Sequence, residues 1–223
     1  VIKDNEAGVD GLDAPESLVL SSDGAHLYVA GANDNSVAVF GRDTDSGGVA
    51  FGTLSFIEIH QDGAAGVDGL LAASGVALSP NGAHLYATGA DDNKLAVFER
   101  DSSAGSADYG KLTYQEVHED GVAGVEGLAG AQAVVVSPGD GSHVYVASFI
   151  DNAIAVFSRD VATGLLTFIE EKRNGDGGVT GLAGASSLAI SDDGGSVYVT
   201  GKTRGSLAVF SRDDVTGSLS FIE

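Results

Sequence analysis

The 223-residue chain has no cysteine, methionine or tryptophan, only three prolines, and eleven Lys and Arg side chains against 32 Asp and Glu. Without cysteine there is neither a disulfide framework nor a thiolate metal site, and the redox compartment stays open. No run approaches the roughly 18 apolar residues of a membrane-spanning helix, so no membrane insertion is expected. No signal-peptide pattern opens the chain, and the missing initiator methionine suggests a mature or excised chain. Basic residues are so scarce that the formal charge is −21. Such a charge repels nucleic acid and anionic membranes, and suits cationic partners or divalent metals. What remains is a globular composition, 43% hydrophobic and 19% charged. A chain of this size buries about 70% of its unfolded surface.

One phrase recurs four times, as SLVLSSDGAHLYVAGANDNSVAVFGRD (Ser17 to Asp43), GVALSPNGAHLYATGADDNKLAVFERD (Gly75 to Asp101), AVVVSPGDGSHVYVASFIDNAIAVFSRD (Ala133 to Asp160) and SLAISDDGGSVYVTGKTRGSLAVFSRD (Ser187 to Asp213). Its closing phenylalanines, Phe40, Phe98, Phe157 and Phe210, are 58, 59 and 53 residues apart, close to the period of propeller blades. In the first repeat Ser17 to Leu20, His26 to Ala30 and Ser36 to Phe40 read as strands, separated by Ser22-Asp23-Gly24 and Asn33-Asp34-Asn35. Leu54 to Glu58 supplies a fourth strand, matched by Leu112 to Glu116, Leu166 to Glu170 and Leu219 to Glu223. Four antiparallel strands per repeat predict an all-β propeller with blades at 1–58, 59–116, 117–170 and 171–223 in a single domain.

The first strands, such as Val76-Ala77-Leu78 and Val134-Val135-Val136, are continuously apolar, as expected of sheets covered on both faces. Ala38, Ala96, Ala155 and Ala208 allow close approach of neighbouring sheets, and the four phenylalanines fill the wider gaps. Joining the end of the chain to its start gives FIEVIKDNEAGVDGL, which parallels FIEIHQDGAAGVDGL from Phe56 to Leu70. The chain therefore holds a whole number of repeats, consistent with a closed four-bladed ring, part of a larger propeller, or two copies closing one ring. Monomer and homodimer both remain open.

The phrases ALSPNGAHLYATG (Ala77 to Gly89) and SVYVTGKTRGSLAVF (Ser196 to Phe210) resemble repeats of bacterial lactonase-like propellers and of the YVTN-type propellers of microbial surfaces. The resemblance extends over all four repeats. It implies a propeller fold, seven blades in the lactonase-like members, and in that branch hydrolysis of a small sugar lactone.

Several residues are candidates for chemistry. The interblade loops opening at Asp4, Asp62 and Asp120 are rich in oxygen ligands and glycine, the makings of a calcium site, although interblade turns are the commoner use of such sequences. Arg42, Arg100, Arg159 and Arg212 hold one position in every repeat, and four copies favour a structural role, with each guanidinium on a carboxylate or a row of carbonyls. His26, His84 and His143 precede the tyrosine of the second strand and read as exposed strand residues, and His60 and His118 as peripheral. A site should break the repeat. The breaks are Ser148-Phe149-Ile150 and Lys202-Thr203-Arg204, so Phe149, Lys202 and Arg204 form the candidate ligand-binding patch.

No nucleophile elbow, P-loop, zinc-helix signature or dinucleotide fingerprint occurs. The favoured reading is a non-catalytic, extracellular or surface-associated module that binds a protein, peptide or glycan, without a cofactor unless calcium is bound. The alternative is a lactonase-like hydrolase, which needs His, Arg and carboxylate groups gathered at the channel mouth.

Overall fold

Turn residues cut each repeat into four strands, and the computed structural model describes them over all 223 residues, with no helix. The first blade comprises β1 (Pro15–Leu20), β2 (His26–Gly31), β3 (Ser36–Arg42) and β4 (Leu54–Gln61). The second holds β5 (Ala73–Leu78), β6 (His84–Gly89), β7 (Lys94–Arg100) and β8 (Leu112–Glu119). The third has β9 (Ala131–Val136), β10 (His143–Ser148), β11 (Ala153–Arg159) and β12 (Leu166–Arg173), and the fourth β13 (Ala185–Ile190), β14 (Ser196–Gly201), β15 (Ser206–Arg212) and β16 (Leu219–Phe221). Each blade is an antiparallel meander in sequence order. The β2–β3 type of hairpin closes on a left-handed residue, Asn35 (φ 53°), Asn93 (φ 59°) or Asn152 (φ 56°), replaced by Gly205 (φ 62°) in the fourth blade.

The outer strands run further than the sequence suggests. Val39 faces Glu58 but Phe40 faces Phe56, so Ile57 is the extra residue of a bulge, and pairing continues to Ser36 opposite Gln61. The same bulge recurs in the second and third blades. Blade limits at 58, 116 and 170 therefore cut the last three residues from β4, β8 and β12.

Apolar side chains collect between blades. One core joins Tyr28, Ala30, Val37 and Val39 of the first blade to Val67, Leu70, Leu85, Ala87, Ala96 and Phe98 of the second. Equivalent cores lie between the second and third blades and between the third and fourth. Ala38, Ala96, Ala155, Ala208 and the four phenylalanines are all buried, and each phenylalanine meets an outer-strand aromatic edge-on, as in Phe98 with Tyr114 at 5.6 Å between centroids.

A repeated clasp ties each blade to the next. Tyr28 Oη donates to the Gly110 carbonyl (2.7 Å) and accepts from Arg100 Nε (2.6 Å). Tyr86 does the same with Gly164 and Arg159, and Tyr145 with Gly217 and Arg212. The guanidinium also donates to the Nδ1 of the preceding blade's histidine: Arg100 to His26 (3.0 Å), Arg159 to His84 (2.7 Å) and Arg212 to His143 (2.8 Å). Its Nη1 spans a turn carbonyl of its own blade, Gly82, Gly141 or Gly194. A Cβ on Gly110, Gly164 or Gly217 would overlap the histidine ring, and each adopts positive φ besides, so only glycine closes the clasp. Further out, Glu58 accepts from Leu112 N (2.8 Å), Glu116 from Leu166 N (2.7 Å) and Glu170 from Leu219 N (2.8 Å).

The clasp corrects the reading of the histidines. His26, His84 and His143 are buried, because the next blade's guanidinium satisfies Nδ1 and its glycine makes room for the ring. His60 and His118 lie within the outer strands, paired with Glu58 and Glu116 and set against Phe98 and Phe157 of the next blade.

The ring is open. β1 packs on β5, β5 on β9 and β9 on β13, with no comparable packing of β13 on β1. Leu18 is 65% exposed where its equivalent Val76 is 7%, and Leu207 and Tyr198 of the last blade are 59% and 39% exposed where Val37 and Tyr28 are fully covered. A closed four-bladed ring is thus overturned in favour of an arc.

Candidate functional site

The innermost strands begin with a polar residue at their second position: Glu16 in β1, Ser74 in β5, Gln132 in β9 and Ser186 in β13. These four side chains, with Ser17, Ser187 and Lys202, line one groove of about 500 Å³ on the axial face of the arc. Close approach of the strands builds it. At Gly75 a Cβ would press on Ala133 Cα and the Gln132 carbonyl, so the glycine lets β5 lie directly against β9.

Part of this polar ring is already used by the fold. Ser74 Oγ donates to the Ala131 carbonyl (2.8 Å) and meets Thr88 Oγ1 (2.9 Å), Ser17 Oγ accepts from Val76 N (3.3 Å), and Ser186 meets Thr200 (3.1 Å). Glu16, Gln132 and Lys202 also line the groove, and no hydrogen bond or ion pair ties their side chains to the rest of the chain. One carboxylate, one amide and one ammonium, from three different blades, break the symmetry of the repeat at its axis. They are equipped to hold a small polar ligand, with a base and a cation on the same cavity.

Of the sequence candidates, Lys202 reaches this groove, held there by its backbone N–H on the Gly184 carbonyl (2.9 Å). Phe149 and Thr203 converge on Gly184, whereas Phe149 and Arg204 are not part of the groove lining. Glu16, Gln132 and Ser186 were not singled out from the sequence. The available signal was a polar residue two positions before each apolar triplet.

A wider cleft of about 620 Å³ at the outer edge of the second blade includes Glu58, His84 and Arg100, all committed to interblade ties. It is a seam between blades.

The acidic loops place Asp4 with Asp10 and Asp34, and Asp62 with Asp68 and Asp92, each trio offering carboxylate oxygens within 4.8 Å of one another. Yet Asp4, Asp62 and Asp120 share another task. Each accepts from the backbone of a leucine eight residues on, Leu12, Leu70 and Leu128, and Asn174 does so with Leu182 in the fourth blade. An amide in the same role requires only an acceptor oxygen. Asp68 is further engaged by Lys94 (2.8 Å). Burial, and then the neighbouring Asp62, push Asp92 up to about 6. In the third blade Asp151, the counterpart of Asp92, is paired with Arg173 (2.7 Å), so Asp120 has no such trio.

Four consecutive meanders packed around an axis, with a polar groove at the inner strands, define a β-propeller arc. The chain belongs to the family described as "Lactonase, 7-bladed beta-propeller", which matches residues 10–113, 76–178 and 125–223. Among solved structures, a 6-phosphogluconolactonase, so described only provisionally, from Bacteroides fragilis superposes with a TM-score of 0.73 at 18% identity, over 94% of this chain and 53% of its own. A Lactobacillus plantarum protein gives 0.72 at 23% identity, over 94% and 56%. The Pseudomonas aeruginosa periplasmic gluconolactonase PpgL gives 0.69 at 24%, over 94% and 53%. The chain thus spans about half the length of these propellers, and at such identities the likeness is one of fold. No curated protein matches the chain in sequence.

Proposed function

We propose that the axial groove hydrolyses a small sugar lactone. Family membership supports this reading over a purely non-catalytic binding module, and the observation that carries it is the groove shared by Glu16 and Lys202. In the proposed step Glu16 takes a proton from water as the oxygen attacks the lactone carbonyl carbon. The Lys202 ammonium offsets the charge on the tetrahedral oxyanion, and Gln132 and the serines bind sugar hydroxyls. The ring C–O bond then breaks, the proton passes from Glu16 to the departing ring oxygen, and an open hydroxy acid results.

Because that acid ionises at neutral pH, turnover of glucono-δ-lactone is followed by titrant uptake above the spontaneous rate. Glu16→Gln and Lys202→Ala are each expected to lower the enzyme-dependent rate about 10²-fold or more. Arg204→Ala, outside the groove lining, should leave it within a factor of about two, an expectation drawn from the small effects of surface changes away from a site. A wild-type chain that binds glycans but releases no acid above background returns the protein to the binding-module reading, with a protein, peptide or glycan as its ligand.

The extracellular or surface setting and the calcium site are companion proposals of lesser reach. For the loops, charge screening is the favoured account of any cation effect, because the geometry that recurs from blade to blade is a backbone brace. Calcium should raise the melting temperature no more than sodium chloride of matched ionic strength. A calcium-specific rise that vanishes in Asp62→Ala reverses that account.

A further inference from the structure

Asparagine followed by glycine occurs twice in the chain, at Asn81-Gly82 and Asn174-Gly175, and both pairs fall where the other three blades carry aspartate. Asn81 answers to Asp23, Asp140 and Asp193, and Asn174 to Asp4, Asp62 and Asp120. The correspondence is structural as well. Oδ1 of Asn81 accepts from Ser79 Oγ (2.6 Å) and Ala83 N (3.2 Å), as Asp23 Oδ1 accepts from Ser21 Oγ and Ala25 N. At the second atom of the group the two blades part. Asp23 Oδ2 receives Arg100 Nη2 of the second blade (3.0 Å), an ion pair across the first seam. Asn81 instead presents an amide Nδ2 to the third blade, where it reaches the Val161 carbonyl at 3.4 Å, and Arg159 Nη2 reaches the same carbonyl at 3.5 Å. Two donors thus face one acceptor. An oxygen in place of Nδ2 removes the competing donor and gives Arg159 the carboxylate that Arg100 already has. Gly82 adopts φ 68° and closes the turn by its N–H on the Ser79 carbonyl (2.8 Å), so the turn requires this glycine, and the residue before it is exposed.

We propose that Asn81 is a site of self-modification, losing its amide to become an aspartate that pairs with Arg159 across the seam between the second and third blades. When the exposed turn opens, the Gly82 nitrogen, unshielded by any side chain, gives up its proton and attacks Asn81 Cγ. The new Cγ–N bond forms as Cγ–Nδ2 breaks, and the amide leaves as ammonia. Water then adds to Cγ of the five-membered imide and breaks the Cγ–N bond, which restores the ordinary peptide link and leaves a carboxylate. One water is consumed and one ammonia released, with no change of oxidation state. Water adding at the main-chain carbonyl leaves the chain linked through Cγ, one carbon longer, and the bond from Gly82 to Ser79 is lost. Because that isoaspartate can re-form the imide, the product that fits the turn accumulates. The reaction belongs to the outer seam and is independent of the axial groove.

Peptide mass spectrometry of the folded 223-residue chain, held for several weeks in mildly alkaline buffer, tests the reaction, each converted site gaining about 1 Da. Position 81 is expected to convert chiefly to aspartate, while Asn5, Asn33, Asn35, Asn93 and Asn152, none followed by glycine, stay intact. The ion pair is tested separately in Asn81→Asp. This variant should have a higher urea midpoint than the parent, whereas Asn174→Asp, which only exchanges one acceptor of Leu182 N for another, should not. His84 should also titrate at higher pH in Asn81→Asp. Burial and Arg100 lower His26, and the Asp23 charge works against them; a carboxylate at position 81 does the same for His84 only if it lies at the seam. Intact Asn81 at the end of the incubation, isoaspartate as its main product, or an Asn81→Asp chain no more stable than the parent with His84 unmoved would each overturn the proposal.

Discussion

Truncating Arg159 to alanine is expected to destabilise the chain by about 3–5 kcal/mol, the scale of breaking a buried, charge-assisted network. The side chain is buried between the second and third blades. It donates to Tyr86 Oη, to the Gly141 carbonyl at 3.0 Å and to His84 Nδ1 at 2.7 Å. Removing it leaves a carbonyl and a ring nitrogen unpaired in a space that water enters poorly. Arg159→Lys should recover little, since one ammonium cannot reproduce the planar fork that serves three acceptors. The control lies in the same repeat position. Arg42 bonds only Gly24 and rests on the Phe51 ring at 4.9 Å, so Arg42→Ala should cost no more than about 1 kcal/mol. Urea denaturation at low protein concentration measures both. Equal losses at the two positions would mean that the clasp contributes nothing beyond each blade's own turn.

That contrast marks what the sequence carries openly and what it does not. The four blades and their strand order follow from local signals, apolar triplets separated by Asp, Asn and Gly turns, and all sixteen strands lie where those signals fall. The bulge at Ile57 escapes such reading because no residue type announces it, and so does the pairing that continues beyond it to Gln61. The histidines escape for a different reason. His84 is a polar residue at a strand start, ordinarily a surface position, and its burial depends on Arg159 and Gly164, more than seventy residues away. Closure is equally non-local. Whether the ring closes depends on contacts between blades, such as the close approach of β5 to β9 that Gly75 permits, which the repeat count alone does not contain. At the axis, Lys202 was visible as a break in the pattern. Glu16 and Gln132 were hidden by lying just ahead of the apolar triplets that drew attention.

Acidification should loosen the interblade seams before it protonates most carboxylates. Arginine can only donate, so the 2.7 Å contact from Arg159 fixes His84 Nδ1 as an unprotonated acceptor and leaves the ring proton on Nε2. Burial, and then the Arg159 charge, hold His84 down at about 4, against 6.5 for the free side chain; His26 and His143 are lowered by burial and then by the charges of Arg100 and Arg212. The unfolded chain therefore binds the proton more readily. The stability this confers is complete above pH 6.5, declines as the pH falls towards 4, and has gone below it. For His84 alone the loss is on the order of 3 kcal/mol, at about 1.4 kcal/mol per pH unit of displacement. Two effects oppose it. Asp92, raised to about 6, gains stability as it protonates, and the repulsion behind the charge of −21 relaxes in acid. Comparison with His84→Gln, which keeps both opposing effects and cannot titrate, isolates the histidine. Between pH 7 and pH 4 the parent chain should lose about 2–3 kcal/mol more than this variant in urea titrations, somewhat below the full displacement because the ring relaxes as it charges. Parallel pH profiles for the two proteins would show that the His84 ring accepts its proton without disturbing the seam.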